Sequence, residues 1–311
     1  MNLHTLFKVL IAWLLPLLLF AETPSVKQTF VFANRESEQL KMDVYNTVKD
    51  STSLVEQPCL MFVFGGGFKE GTRDAELYEA YFNYFANKGF IVVSIDYRLG
   101  MKGEKAPSMF NYKPMEKSIA LAIEDLYVAT DYILKNAQKL HIDTTQIIIS
   151  GSSAGAIAVL QADYEKRNNF ESANILSSPF QYAGVISFAG SIFSHKGTPS
   201  YNVAPAPTLL FHGSADNLVP YNNKRFFHIG MFGSNTLAKQ FRKHEYPYLF
   251  YSMEGEGHDV SEYPMTDFLP EIDKFITDYV FNKKQLLINI NYRDKERIPT
   301  RSDSPSDYYN K

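Results

Sequence analysis

Residues 146–150 read Gln-Ile-Ile-Ile-Ser, residues 151–155 read Gly-Ser-Ser-Ala-Gly, and a helical pattern occupies 154–166. An isoleucine run with no polar alternation suits a strand buried on both faces, as in a parallel sheet covered by helices. The segment behind it has the form G-x-S-x-G at a strand-to-helix turn. Such a turn is so tight that side chains two residues before and two after the serine would collide, while the serine itself projects outward. A functionless Ser/Gly turn is the reading to set against it. The strand before and the helix after favour Ser153 as a nucleophile.

The rest of the chain repeats this alternation. Residues 28–33 and 39–45 read as a hairpin around the polar turn 34–38, and strands follow at 59–64, 90–96, 146–150, 182–188, 208–212 and 248–253. Between them, 75–87 places Tyr78, Tyr81, Phe82 and Phe85 on one helical face, and 117–139 repeats Ile119, Ile123, Leu126, Ala129, Ile133 and Ala137 at helical spacing. These stripes are core rather than cofactor boxes. The order predicts an α/β protein with a mostly parallel eight-stranded sheet and helices on both faces. No repeat or Gly/Ser-rich linker divides it. One domain is expected over 22–282, and 283–311, where Arg, Asp, Ser and Pro accumulate from 291 onward, is expected to be a partly disordered tail.

Charge and cysteine content remove several functions. With 311 residues, a net charge of −3 and no basic run, the chain lacks the clustered cations that nucleic-acid binding needs. Cys59 is the single cysteine, so neither an intrachain disulfide nor a zinc cluster of cysteines can form. Lys8, the apolar run 9–20 and Ala21 have the form of a secretory signal peptide, 1–21. The run is shorter than the roughly 20 residues that span a bilayer. A secreted or periplasmic protein follows, with no membrane attachment after cleavage.

A serine hydroxyl attacks only if a base takes its proton and the charge formed on the substrate is stabilised. Phe64-Gly65-Gly66-Gly67-Phe68 follows the third strand and exposes backbone N–H groups without side chains. Gly66 and Gly67 are the expected oxyanion donors, joined by the N–H of Ala154. A phosphate loop is the rival reading, but the sequence has neither the Gly-Lys-Ser/Thr ending of a P-loop nor G-x-G-x-x-G.

With these segments in place the chain resembles the α/β-hydrolases of the esterase/lipase superfamily that carry an H-G-G-G oxyanion motif. Ser94-Ile95-Asp96-Tyr97-Arg98-Leu99 is similar to that family's D-Y-R-L segment, and the likeness runs from about 59 to 258. It implies an α/β-hydrolase fold and assigns Asp96 and Arg98 structural rather than catalytic roles. Phe64 departs from the family pattern by replacing a histidine that helps order the oxyanion loop in relatives. The backbone donors survive that change.

His212-Gly213-Ser214-Ala215-Asp216-Asn217-Leu218-Val219-Pro220 resembles the family's H-G-x-x-D-x-x-V-P turn and makes Asp216 the acid. Glu254, Glu256, or a capping role for Asp216 before a helix near Asn222 are the alternatives. Among the histidines, His212 sits at a strand end in a structural position. His258, in Gly255-Glu256-Gly257-His258-Asp259 after the last strand, is the base. The order Ser153, Asp216, His258 is the one expected of this fold. No metal or organic cofactor is needed. The short interval 191–207 leaves little or no cap. The resemblance further implies a carboxylic ester hydrolase acting on short acyl or aryl esters, such as acetyl or feruloyl groups of polysaccharides, so that the partner is a small-molecule or saccharide ester. Two rivals remain: a serine peptidase of the prolyl-oligopeptidase kind, whose propeller domain has no counterpart in this sequence, and a non-catalytic hydrolase-fold binding protein.

Overall fold

Ile147, Ile148 and Ile149 are fully buried in the middle of a large sheet in the computed structural model, which describes residues 25–36, 38–47, 55–108, 110–298 and 303–310. The expected leader 1–21 lies outside the described residues. The strands are β1 (Val26–Asn34), β2 (Gln39–Asn46), β3 (Gln57–Val63), β4 (Ile91–Ile95), β5 (Ile142–Ser152), β6 (Gly184–Phe188), β7 (Ser191–Ser194), β8 (Thr208–Gly213), β9 (Asn223–Phe226), β10 (Ile229–Gly233), β11 (Tyr248–Met253) and β12 (Leu287–Tyr292). Nine of them form one sheet in the order β1-β2-β4-β3-β5-β6-β8-β11-β12. β1, β2 and β4 pair antiparallel and every pair from β4 to β12 is parallel. The remaining three, β7, β10 and β9, form a small antiparallel sheet.

The helices are α1 (Glu79–Asn87), α2 (Lys113–Leu140), α3 (Ala154–Arg167), α4 (Ser234–Lys243), α5 (Pro264–Asp267), α6 (Leu269–Phe275) and α7 (Pro305–Tyr309). The apolar stripes foreseen on α1 and α2 face inward: Tyr81, Phe82 and Phe85 on α1, and Ile119, Ile123, Leu126, Ala129 and Ile133 on α2, are all buried. α3 has no stripe, because nearly every residue from Ala154 to Tyr164 is buried. An all-round small and apolar surface is what a helix packed beneath other elements requires. Asp96 and Arg98 are structural. Asp96 receives Arg73 and the N–H of Lys41, while Arg98 clasps the buried Asp125 of α2. Cys59 is buried in β3, and burial pushes its thiol far above the usual range.

The expected tail needs correcting. Residues 287–292 are β12, paired parallel with β11 along its whole length, so the sheet has a ninth strand. An edge strand bonds to one neighbour and stays half exposed, and the alternation Ile288-Asn289-Ile290-Asn291 is therefore weaker than the apolar runs of central strands. Farther on, α7 returns to the glycine loop 64–68, where the Tyr309 hydroxyl donates to the carbonyl of Gly67 at 2.8 Å.

Candidate active site

β5 ends at Ser152 and α3 begins at Ala154, leaving Ser153 alone to turn the chain, at φ 50° and ψ −113°. A non-glycine residue held there stores on the order of 1–3 kcal/mol of strain. The surrounding contacts impose it: the Ser153 N–H donates to Phe188 O at 2.8 Å. The flanking glycines have no freedom to be anything else. A Cβ on Gly151 would lie 2.4 Å from the backbone of Gly155, and a Cβ on Gly155 would lie 1.9 Å from Val63 O. Because those obstacles are backbone atoms of a central strand, Gly155→Ala is expected to cost about 3 kcal/mol or more. A urea midpoint for the variant close to that of the parent would contradict this packing.

His258 follows β11 and opens a short helical turn. Its Nε2 lies 2.7 Å from Ser153 Oγ, and its Nδ1 lies 2.7 Å from Asp216 Oδ2. A carboxylate only accepts, so Nδ1 carries the proton shared with Asp216, and Nε2 of the neutral ring is left to accept from the serine hydroxyl. The loops bearing Asp216 and His258 are stitched together. Ala215 N–H donates to Glu256 O, Gly255 N–H donates to Ser214 Oγ, and Gly213 lies so close that a Cβ would meet Gly257 O at 2.2 Å.

Asp216 is held in an Asx turn, Oδ1 accepting from the N–H groups of Leu218 and Val219 at 2.8 and 3.0 Å. No helix starts near Asn222; β9 begins at Asn223 instead. Burial opposes the charge on Asp216, but hydrogen bonds from His212 and His258 outweigh it and hold the carboxyl well below the usual carboxylate range. His212 is fully buried, its Nε2 3.2 Å from Val219 O and 3.3 Å from Asp216 Oδ2, its Nδ1 2.8 Å from Ser234 Oγ. It thus supports Asp216 from behind. Neither rival acid bonds to His258 among the described residues: Glu254 faces Arg293 at 3.6 Å, and Glu256 is buried with Oε2 unpaired.

The glycine loop 64–68, the expected oxyanion loop, leaves β3 and lies against the turn at Ser153, a Cβ on Gly65 being 3.3 Å from that of Ser153. The Gly65 N–H is taken by Tyr78 Oη at 3.1 Å. Among the described residues the N–H groups of Gly66 and Gly67 have no partner, and that of Ala154 is in the first turn of α3, where no intrahelical acceptor exists. Gly67 and Ala154 line the same cleft as Ser153; Gly66 stands one residue behind its wall.

Residues 42–193 match the model of the BD-FAE family. Gut esterase 1 of Caenorhabditis elegans is 29% identical over 123 residues, 39% of this chain and 21% of that protein. Fumonisin B1 esterase of Sphingopyxis macrogoltabida is 30% identical over 103 residues, 33% of this chain and 19% of that protein. The chain thus spans about a fifth of the length of these curated relatives. The propionate-bound Est2 esterase from the Planctomycetes species Thermogutta terrifontis is similar in fold, with a TM-score of 0.61 at 22% identity, covering 82% of this chain and 95% of that one. The chain has the α/β-hydrolase fold.

In this chain the Phe64 position, where the resemblance leads one to expect histidine, is filled by packing rather than by a hydrogen-bonding side chain. The Phe64 ring is buried and stacks on Tyr97 with centroids 4.4 Å apart, and the Tyr97 hydroxyl donates to Phe64 O at 3.1 Å. Tyr78 was visible in the sequence as a core residue of the helical stripe and Tyr97 as part of the D-Y-R-L segment, but nothing in either motif announced a role in holding the loop. Tyr308 and Tyr309 carried no signal at all. The cleft around Ser153, about 180 Å³, is walled mainly by apolar and aromatic side chains, among them Phe68, Tyr112, Ile157, Phe193 and Met231. One wall comes from the small β7-β10-β9 sheet. Among the described residues no group of three or more His, Cys, Asp or Glu is placed to hold a metal ion.

Proposed function

We propose that the protein is a carboxylic ester hydrolase working through an acyl-enzyme intermediate. The observation that carries this reading is the relay in which Ser153 Oγ, His258 and Asp216 are joined by two contacts of 2.7 Å. Ser153 Oγ attacks the ester carbonyl carbon while His258 Nε2 takes its proton; the carbonyl electrons move onto oxygen, where the N–H groups of Gly67, Gly66 and Ala154 receive the charge. Collapse expels the alkoxide, protonated by His258, and leaves the acyl group on Ser153. Water then repeats the sequence to release the acid. Asp216 keeps the imidazole oriented and stabilises its charged form.

The aromatic and apolar cleft suits short acyl or aryl esters, acetyl and feruloyl groups of polysaccharides among them. The apolar run 9–20 supports export of the chain to a secreted or periplasmic location. No helix among the described residues is long and apolar enough to cross a membrane.

Two measurements test the reading. A fluorophosphonate is expected to add once per chain, at Ser153 by peptide mapping, and a panel of p-nitrophenyl, acetylated-saccharide and feruloylated-saccharide esters is expected to show turnover. A protein that neither takes the label nor cleaves any ester of the panel is not a serine esterase.

A further inference from the structure

Tyrosine hydroxyls hold the oxyanion loop at both ends. At its start the 64–65 peptide is gripped from two sides, its carbonyl by the Tyr97 hydroxyl and its N–H by Tyr78 Oη. In the middle, Gly66 O accepts from the N–H groups of Lys69 and Glu70, each at 3.0 Å. A trans peptide points its C=O and N–H in opposite directions, so this bond turns the Gly67 N–H away from the Lys69–Glu70 turn. Gly67 and Phe68 are the two central residues of that turn, both left-handed at φ +63° and +57°, and the outer face of the turn at Gly67 has no side chain of its own.

That side is covered by α7. Tyr309 donates its hydroxyl to Gly67 O at 2.8 Å, and Tyr308 donates to Glu70 Oε1 at 2.9 Å. The two rings pack on the bare Cα of Gly67 so closely that a Cβ there would lie 2.5 Å from Tyr308 Cε1 and 2.9 Å from Tyr309 Oη. Tyr309 is itself buried, 8% exposed, and with Pro305 lines the cleft that contains Ser153.

We infer that Tyr309 is a positioning residue for ester hydrolysis: by anchoring the Gly67 carbonyl it braces the 66–69 turn from outside and so holds the Gly67 N–H where charge forms on the substrate. This rests on the esterase reading above. The anchor acts on the transition state, because the N–H is needed most when the carbonyl oxygen is negative. Substrate binding by the apolar cleft is left nearly untouched.

The test uses the full chain and three variants. Tyr309→Phe removes one hydroxyl and keeps the ring; kcat on p-nitrophenyl acetate is expected to fall about 10-fold with KM within about twofold, the split expected when a donor is displaced rather than deleted. Tyr308→Phe, which loses only a bond to Glu70 at the surface, is expected to change kcat by less than about twofold. Tyr309→Ala is expected to lower kcat further and to raise KM, since it also opens the cleft wall. Amide hydrogen exchange over 64–70 is expected to speed up in Tyr309→Phe and to stay unchanged in Tyr308→Phe. A Tyr309→Phe protein with parental kcat and parental exchange overturns the inference. If the parent cleaves no ester and takes no fluorophosphonate, the esterase reading fails instead, and the inferred role in hydrolysis falls with it. The exchange data then still decide whether Tyr309 orders the loop.

Discussion

Ser153→Ala is expected to lower kcat on p-nitrophenyl acetate by about 10⁴-fold or more, with KM nearly unchanged. The substitution deletes the oxygen that lies 2.7 Å from His258 Nε2 and that would bond to a substrate carbon. It leaves the cleft lining and the loop N–H groups in place, so ground-state binding persists and some rate above that in water survives. Stability is expected to change little. Alanine at φ 50° bears the same backbone strain as serine, and the N–H bond to Phe188 O does not involve the side chain. Turnover within tenfold of the parent, with thermal unfolding intact, would remove Ser153 from the mechanism and with it the whole catalytic assignment.

Asp216→Asn is expected to reduce kcat by about 10⁴-fold through the tautomer of His258. The amide oxygen can still accept from the Leu218 and Val219 N–H groups, so the turn persists. The NH2 then replaces Oδ2 and faces both His258 Nδ1 and His212 Nε2. Facing a donor, His258 must turn a lone pair to Nδ1 and carry its proton on Nε2, where it can no longer take one from Ser153. The buried encounter of two donors at His212 is expected to cost a further 1–3 kcal/mol or so of folding stability, readable as a lowered urea midpoint. A variant that keeps more than a tenth of parental kcat would show that the acid lies elsewhere, and Glu256 would then be the first residue to replace.

Central strands were legible because burial on both faces demands continuous apolar sequence, as in Ile147-Ile148-Ile149, and helices because a single buried face imposes a 3.6-residue period. β12 was not, since an exposed edge needs no such run. The same logic separates the parts of the site. Gly151, Ser153 and Gly155 announce themselves locally, because the turn is forbidden to other side chains by atoms within a few residues in sequence or on the adjacent strand. The segments carrying Asp216 and His258 were legible as turns following strands.

Their meeting is a property of the fold alone. Parallel strands β5, β8 and β11 all end at one edge of the sheet, and only that shared direction brings loops 63 and 42 residues apart in sequence within hydrogen-bonding distance. The support given by His212, the packed Phe64–Tyr97 pair and the return of Tyr309 to Gly67 were likewise settled by tertiary structure. A hydroxyl that reaches 242 residues back along the chain leaves no periodicity or spacing in the sequence. What the amino-acid order determined is which turns had to be tight and which faces had to be dry. Which side chains then found one another depended on where the packed sheet delivered them.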